Sequence, residues 1–169
     1  MLRPSGELWV FLGKVGAMFR GESTLNVDSK GRMAVPARYR EDLDRLCDGH
    51  LIVTISLLHR SLTVYPAQDW QRIEDDLKRL PALDQKAQSI RHLLIGHATE
   101  CDMDSQGRIL LPQSLRDFAS LGKRVKMIGQ ASKFELWDES AWAAHREDLL
   151  ERVEDLMSAP SAALSELVL

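Results

Sequence analysis

The chain has 169 residues, of which 44% are hydrophobic and 28% charged, a composition typical of a globular protein. These proportions exclude a disordered chain or a coiled-coil rod and predict one compact domain or two small ones. The net charge of −3 lacks the basic excess of many nucleic-acid-binding proteins, but the charge is unevenly distributed. Nine acidic and two basic side chains follow Phe134, which gives that segment a charge of −7 and leaves the part up to Phe134 at +4.

The cysteines and the N-terminal segment indicate the compartment. Cys47 and Cys101 are too few for a disulfide framework, which favours a reducing cytoplasm. The apolar run at 8–12 is far shorter than the roughly 18 residues of a membrane span, and Lys14 follows it closely. We therefore interpret residues 1–17 as an extension or disordered leader rather than a signal peptide, and we expect no membrane partner.

The first predicted element after this leader is a β-hairpin. Apolar and polar residues alternate over 25–27, a turn follows, and an apolar strand then resumes. Gly31 suits the positive φ of a tight turn, and Asp28 can accept hydrogen bonds from the turn's own amides. Pro36 ends the second strand and suits the first position of a short helix over 36–46. One face of this helix carries the apolar residues Tyr39, Leu43 and Leu46.

Alternating and helical patterns predict the remaining elements. Strands are predicted over 51–55 and 61–65, and again over 125–128 and 133–137. Apolar stripes at helical spacing predict helices over 66–80, over 83–94 and in the tail, where Trp142, Leu149, Val153 and Leu156 share a face. We expect these stripes to pack in the core rather than to form a groove for a partner.

Two distant segments of the chain repeat one pattern. Residues 26–40 read NVDSKGRMAVPARYR, and residues 102–116 read DMDSQGRILLPQSLR. After a small deletion the agreement resumes, with LTVYPAQDW at 62–70 matching FELWDESAW at 134–142. Ordered matches across strand, turn, proline and aromatic positions indicate an internal duplication. Since each copy is too small to bury a sufficient core alone, we expect the two copies to complete a shared barrel.

Sequence motifs of enzymes and metal sites are weak. The nearest approach to a phosphate-binding loop, residues 16–23, carries Glu22 where the phosphate-binding lysine belongs. His92, His97 and Cys101 form an H-x4-H-x3-C series that lacks the fourth ligand of a strong zinc site. We therefore predict that the protein is not an enzyme and needs no metal, other cofactor or small-molecule substrate.

The paired D-S-[KQ]-G-R turns are the remaining candidates for chemistry. Between residues 20 and 40 five basic side chains outnumber two acidic ones. Guanidinium groups suit phosphate oxygens and the guanine edge, and a two-stranded ribbon fits the major groove, so we expect double-stranded DNA as the partner. In the alternative interpretation each arginine only pairs with the aspartate of its turn. The predicted DNA-binding residues are Lys30, Arg32, Arg38, Arg40, Arg108 and Arg116, and the predicted turn-forming residues are Asp28, Gly31, Asp104 and Gly107.

Two longer runs carry a family resemblance. MFRGESTLNVDSKGRMAVPARYRE at 18–41 and GHATECDMDSQGRILLPQSLRDFA at 96–119 closely resemble the MraZ family of bacterial transcriptional regulators, whose chains carry two D-x-x-x-R motifs. The resemblance implies a mainly β fold with peripheral helices (α+β), a tandem pseudo-dimeric swapped-hairpin AbrB-like β-barrel. The predicted segments are a leader that lies outside the family pattern (1–17), a first AbrB-like repeat (18–81), a linker helix (82–95), a second AbrB-like repeat (96–143) and an acidic C-terminal helix and tail (144–169).

The resemblance also implies a function. It implies a ring-like homo-oligomer that binds short direct repeats upstream of the division and cell-wall gene cluster and represses that operon, including its own gene. Such a regulator would be cytoplasmic and nucleoid-associated. Because Gln106 stands where the first copy has Lys30, we expect the second turn to contact DNA more weakly. The alternative function is a protein-interaction module of antitoxin type that acts through the acidic C-terminal helix.

Overall fold

A computed structural model describes residues 18–158 and 161–165, so the predicted leader lies outside the described residues. The strands in this part of the chain are β1 (Glu22–Asn26), β2 (Arg32–Ala34), β3 (Leu51–Ile55), β4 (Leu62–Pro66), β5 (Thr99–Glu100), β6 (Arg108–Leu110), β7 (Arg124–Gln130) and β8 (Lys133–Asp138). The helices are α1 (Ala37–Cys47), α2 (Ala67–Arg79), α3 (Gln85–His97), α4 (Gln113–Phe118), α5 (Glu139–Glu151), α6 (Val153–Ser158) and α7 (Ala162–Ser165). These bounds confirm the predicted strands and helices to within a few residues.

The strands form two antiparallel sheets. The larger sheet has six strands in the order β1-β7-β8-β4-β3-β5, and the smaller one pairs β2 with β6. The larger sheet is open, with β1 and β5 at its edges, so no closed barrel is found among the described residues and the predicted barrel is not confirmed. The fold is a mixed α/β arrangement of antiparallel strands and several helices. No helix in residues 18–158 or 161–165 is long and apolar enough to span a membrane.

The predicted hairpin at residues 25–35 is wrong in its strand pairing. The turn closes as expected, since the Asp28 amide donates to the Arg32 carbonyl at 2.9 Å. The Val27 amide, however, donates to the carbonyl of Lys123, the residue before β7, at 2.8 Å. The residue before the turn is therefore bonded to the other half of the chain and not to the strand that follows the turn. Strand β1 then pairs with β7 and strand β2 with β6, both from the other half of the chain.

The strand pairing follows the same pattern in both halves. Strand β1 pairs with β7, and β5, the equivalent of β1 in the second half, pairs with β3. The pair β3–β4 of the first half corresponds to the pair β7–β8 of the second half. The two remaining pairs, β4–β8 and β2–β6, join equivalent strands of the two halves. The two halves are therefore interleaved in both sheets, and neither half forms its core alone.

Aromatic side chains fill the centre of this core. The ring centroids of Phe19 and Phe134 are 4.2 Å apart, and the Tyr39 centroid lies 4.9 Å from that of Phe134. Tyr39 and Leu43 are buried on α1, as its apolar stripe predicts. Pro36 precedes this helix as its N-cap, with ψ at 134°, and is not its first helical residue. Burying side chains of this size contributes about 1.5–3 kcal/mol each.

Two predictions of core packing are wrong. Val153 and Leu156 are each 47% exposed, and every side chain from Glu151 to Ser158 is exposed. Residues 151–158 therefore extend beyond the sheet against which the start of α5 packs. Leu83 is 97% exposed because it precedes α3, which begins at Gln85 after the N-cap Asp84.

Candidate nucleic-acid interface

The first turn is organised by one carboxylate. Asp28 Oδ1 accepts hydrogen bonds from the amides of Lys30 and Arg32, both at 2.9 Å, and Asp28 Oδ2 accepts from Arg32 Nε at 2.8 Å. These bonds, led by the Arg32 amide, lower the pKa of Asp28 from 3.8 to about 2. The carboxylate is therefore ionised at neutral pH, and it fixes both the turn and the base of the Arg32 guanidinium.

The second turn has the same set of bonds. Asp104 Oδ1 accepts from the amides of Gln106 at 2.8 Å and Arg108 at 2.9 Å, and Asp104 Oδ2 accepts from Arg108 Nε at 3.0 Å. The Arg108 amide is the largest cause of a lowered pKa at Asp104. Each arginine thus pairs with its aspartate, as the alternative interpretation expects. About a third of each arginine side chain stays exposed, 38% for Arg32 and 35% for Arg108.

The β2–β6 ribbon places both arginines on one face. Arg32 pairs with Leu110 and Arg108 pairs with Ala34, on either side of the central pair Met33–Ile109. Since side chains alternate along a strand, the four outer residues face one way and the central pair faces the other. Met33 and Ile109 are buried at 1% exposure each, while Leu110 is 55% exposed. Arg32 and Arg108 therefore lie diagonally across the outer face of a two-stranded ribbon.

Lys30 and Arg38 add positive charge beside the first turn. Lys30 is exposed at the turn itself. The exposed Arg38 side chain donates from Nη2 to Ser23 Oγ at 2.8 Å, and its guanidinium lies 4.6 Å from the Tyr39 ring centroid. At the equivalent positions of the second half stand Gln106 and Ser114, so the first turn carries two additional cations.

Arg40 and Arg116 occupy a different environment from the other predicted DNA-binding residues. Arg40 Nε donates to the Val35 carbonyl at 2.8 Å, and Arg116 Nε donates to the Leu111 carbonyl at 3.1 Å. Both side chains are partly buried where α1 and α4 meet the ends of the ribbon. The sequence match between the two arginines is visible from the repeat, but the carbonyl that each one binds is not.

The two turn glycines are required by backbone geometry. Gly31 has a φ of +87° and Gly107 a φ of +74°, a region that side chains with a Cβ rarely adopt. A Cβ on Gly31 would also lie 2.7 Å from the Leu111 carbonyl oxygen, and one on Gly107 would overlap the Arg40 side chain. Each turn is therefore packed against residues that follow the ribbon strand of the other half.

The candidate zinc ligands are not brought together. Within residues 18–158 and 161–165, no group of three or more His, Cys, Asp or Glu side chains could hold a metal ion. His97 Nδ1 lies 2.7 Å from the Leu93 carbonyl oxygen, and His92 is exposed. Cys101 is a buried free thiol, and burial raises its pKa to about 11.

Comparison with known proteins places these turns in a family. A family model described as "MraZ protein, putative antitoxin-like" matches residues 18–92 and 94–164, which include both turns and the whole ribbon. The chain belongs to the MraZ family. This membership confirms the family resemblance that the two D-x-x-x-R motifs carry.

Several MraZ relatives are named transcriptional regulators. The "Transcriptional regulator MraZ" of Thioalkalivibrio sulfidiphilus is 49% identical over 152 residues, 90% of this chain and 100% of the relative. Proteins of the same name from Alkalilimnicola ehrlichii and Methylococcus capsulatus are 49% and 48% identical, each over 134 residues and 79% of this chain. These alignments cover 89% and 88% of the two relatives.

Proposed function

We propose that this MraZ-family chain is a sequence-specific DNA-binding transcriptional regulator. The proposed contact surface is the outer face of the β2–β6 ribbon together with the turns at 28–31 and 104–107. The observation that carries the proposal is the placement of Arg32 and Arg108 on one exposed ribbon face. A two-stranded ribbon of this width fits the major groove of B-form DNA. The names of the relatives support the same function.

The proposed roles of the side chains follow from their surroundings. Arg32 and Arg108 read base edges, because the Nε bond to an aspartate fixes each side chain before DNA arrives. A side chain that is already ordered loses less entropy on binding. Lys30 and Arg38 contact phosphates, which position the ribbon without selecting a sequence. Arg40 and Arg116, which the sequence also predicts as DNA-binding, each bond a backbone carbonyl and are not included in the proposed contact surface.

The finer parts of the proposal come from the family resemblance. We propose that the interleaved pairing is an AbrB-like swapped-hairpin arrangement and that the chain assembles as a ring-like homo-oligomer. In this proposal the assembly binds direct repeats upstream of the division and cell-wall genes, in the cytoplasm and at the nucleoid, and represses that operon. Because an oligomer presents many ribbons at fixed spacing, affinity should rise far more than additively with the number of repeats.

A mobility-shift assay with the DNA upstream of the chain's own gene tests this function. We expect a specific complex that a scrambled duplex of equal length does not give. The logarithm of affinity should fall linearly with the logarithm of salt concentration, since Lys and Arg displace counterions from phosphates. Equal affinity for the two duplexes would overturn sequence-specific binding, and equal affinity for one and several repeats would overturn the multivalent mechanism.

A second candidate function is the antitoxin-type protein interaction. It is favoured by exposed apolar side chains on the acidic tail, since Leu150, Val153 and Met157 are 50%, 47% and 56% exposed. Exposed apolar residues on a helix can dock in a partner's groove. Removing residues 153–169 separates the two functions, because the truncated chain should still bind DNA if the ribbon is the contact surface.

A further inference from the structure

Each turn is held from the other half of the chain. The Val35 amide donates to the Gly107 carbonyl at 2.8 Å, and the Leu111 amide donates to the Gly31 carbonyl at 2.9 Å. The residue that follows each ribbon strand is thus bonded to the turn of the opposite half. The two bonds are equivalent in the repeat, since Val35 matches Leu111 and Gly31 matches Gly107.

An arginine side chain lies beside each of these two bonds between the halves. Arg40 Nε donates to the Val35 carbonyl at 2.8 Å, and the Arg40 side chain lies against Gly107, where a Cβ would overlap it. Arg116 Nε donates to the Leu111 carbonyl at 3.1 Å, and a Cβ on Gly31 would lie 2.9 Å from that same Nε atom. Each arginine therefore joins the end of its own ribbon strand to the glycine of the opposite turn.

The chemistry of the arginine side chain suits this position. Val35 and Leu111 each precede a proline, and their carbonyls accept a directional hydrogen bond from the arginine Nε atom. The Nε atom of the guanidinium can make that bond while the side chain lies close to a glycine, which has no side chain of its own. Lysine would keep the charge but would not provide the planar group.

We propose that Arg40 and Arg116 are positioning residues that act crosswise: Arg40 holds the turn at 104–107, and Arg116 holds the turn at 28–31. This inference rests on the proposed function for its consequence, which is that each arginine sets the geometry of the DNA contact made by the opposite half. Arg108 follows the turn that Arg40 holds, and Arg32 follows the turn that Arg116 holds. The competing role is direct phosphate contact, which predicts different results for hydrogen exchange and for DNA affinity.

Hydrogen–deuterium exchange of the free protein tests the crosswise contact without DNA. In Arg40→Met we expect amides in the 104–108 peptide to exchange about tenfold faster, while the 28–32 peptide is unchanged. Arg116→Met should give the reverse pattern, and Arg40→Lys should resemble Arg40→Met. Arg45→Met is the matched control, because Arg45 is on the same helix, 68% exposed and paired with Asp42. It should alter neither turn.

DNA affinity measured in double-mutant cycles tests the consequence of the contact. Arg40→Met should be less than additive with Arg108→Ala, because both changes remove the contact made by the second turn, and additive with Arg32→Ala. For Arg116→Met the pattern should be reversed. Arg40→Lys separates the competing role, since a phosphate contact needs the charge and would be largely rescued by lysine.

Several outcomes would overturn the proposal. Equal acceleration of both turns in either methionine variant would indicate only general loss of stability. Unchanged exchange, combined with full rescue of DNA affinity in Arg40→Lys, would assign Arg40 to phosphate contact. If the variants show the crosswise exchange pattern but the parent protein binds no DNA, the positioning contact stands and the proposed function fails.

Discussion

The two turns share one bonding scheme but differ in exposed charge. In both, an aspartate accepts two amide bonds and one Nε bond at 2.8–3.0 Å, and the glycine φ values are +87° and +74°. Lys30 and Arg38 of the first half are replaced by Gln106 and Ser114 in the second. The residues that bond the backbone are thus the same in both halves, and the solvent-facing cations are not. The comparison separates the side chains that build the turn from those available to tune its contact with DNA.

The largest expected effect is loss of an arginine from the ribbon face. Arg32→Ala should weaken binding to the upstream DNA by about 1–3 kcal/mol, the range of a good base contact. Arg108→Ala should weaken it less, because the second turn has fewer cations to hold it on the phosphates. Fluorescence anisotropy at one salt concentration measures both. A larger loss for Arg108→Ala would reverse the order of the two turns.

Substitution of a turn glycine should lower the stability of the folded protein. Gly107→Ala should lower the free energy of unfolding by about 1–2 kcal/mol from the positive φ alone, with a further loss from overlap with Arg40. Gly96→Ala is the matched control, since Gly96 is in helix α3 and a Cβ there would meet nothing within 4 Å. It should stabilise the protein by about 0.5–1 kcal/mol. Urea unfolding compares the two, and equal effects would contradict the close packing at Gly107.

Exchanging the residues at positions 30 and 106 tests the effect of the difference in exposed charge between the turns. Lys30→Gln should weaken DNA binding, and Gln106→Lys should strengthen it, each with a change of about 1 in the slope of log affinity against log salt. The double exchange should restore the parent slope. No change in slope from either variant would show that these positions do not contact phosphates.

Protonation of the turn aspartates at low pH should destabilise the turns. Because folding lowers the pKa of Asp28 from 3.8 to about 2, its contribution to stability is fully present above about pH 4. That contribution is lost as the pH falls through about 2. The Asp28 carboxyl shift, followed by NMR, should therefore titrate near pH 2, and Asp28→Asn should remove this part of the pH dependence of unfolding. Titration of Asp28 at its ordinary value would contradict the hydrogen-bonding scheme.

The sequence predicts local features well and long-range pairing poorly. The turns, the helix after Pro36 and the apolar face of Tyr39 and Leu43 all follow from short-range rules, and the structure contains each of them. Strand β2 is only three residues long, and its partner β6 belongs to the other half of the chain, so no local pattern distinguishes a hairpin from interleaved strands.

The sequence also predicts the positions of the candidate site better than the contacts that its side chains make. The repeated arginines identify the positions, but the sequence does not distinguish Arg40 from a surface cation such as Arg38. Only the folded structure reveals its two neighbours, the Val35 carbonyl of its own half and Gly107 of the other half. In the tail, helical spacing predicts burial of Val153, but its side chain is 47% exposed, so none of the described strands covers it.

The ribbon face is tested most directly by removing both of its arginines at once. We would measure the affinity of Arg32→Ala/Arg108→Ala for the upstream DNA against Arg72→Ala/Arg79→Ala, a control that removes the same charge from two exposed α2 residues. If both variants keep the parent melting temperature, the ribbon variant should lose sequence-specific binding and the α2 variant should keep it. Specific binding of parental strength by the ribbon variant would contradict the assignment of this face to DNA.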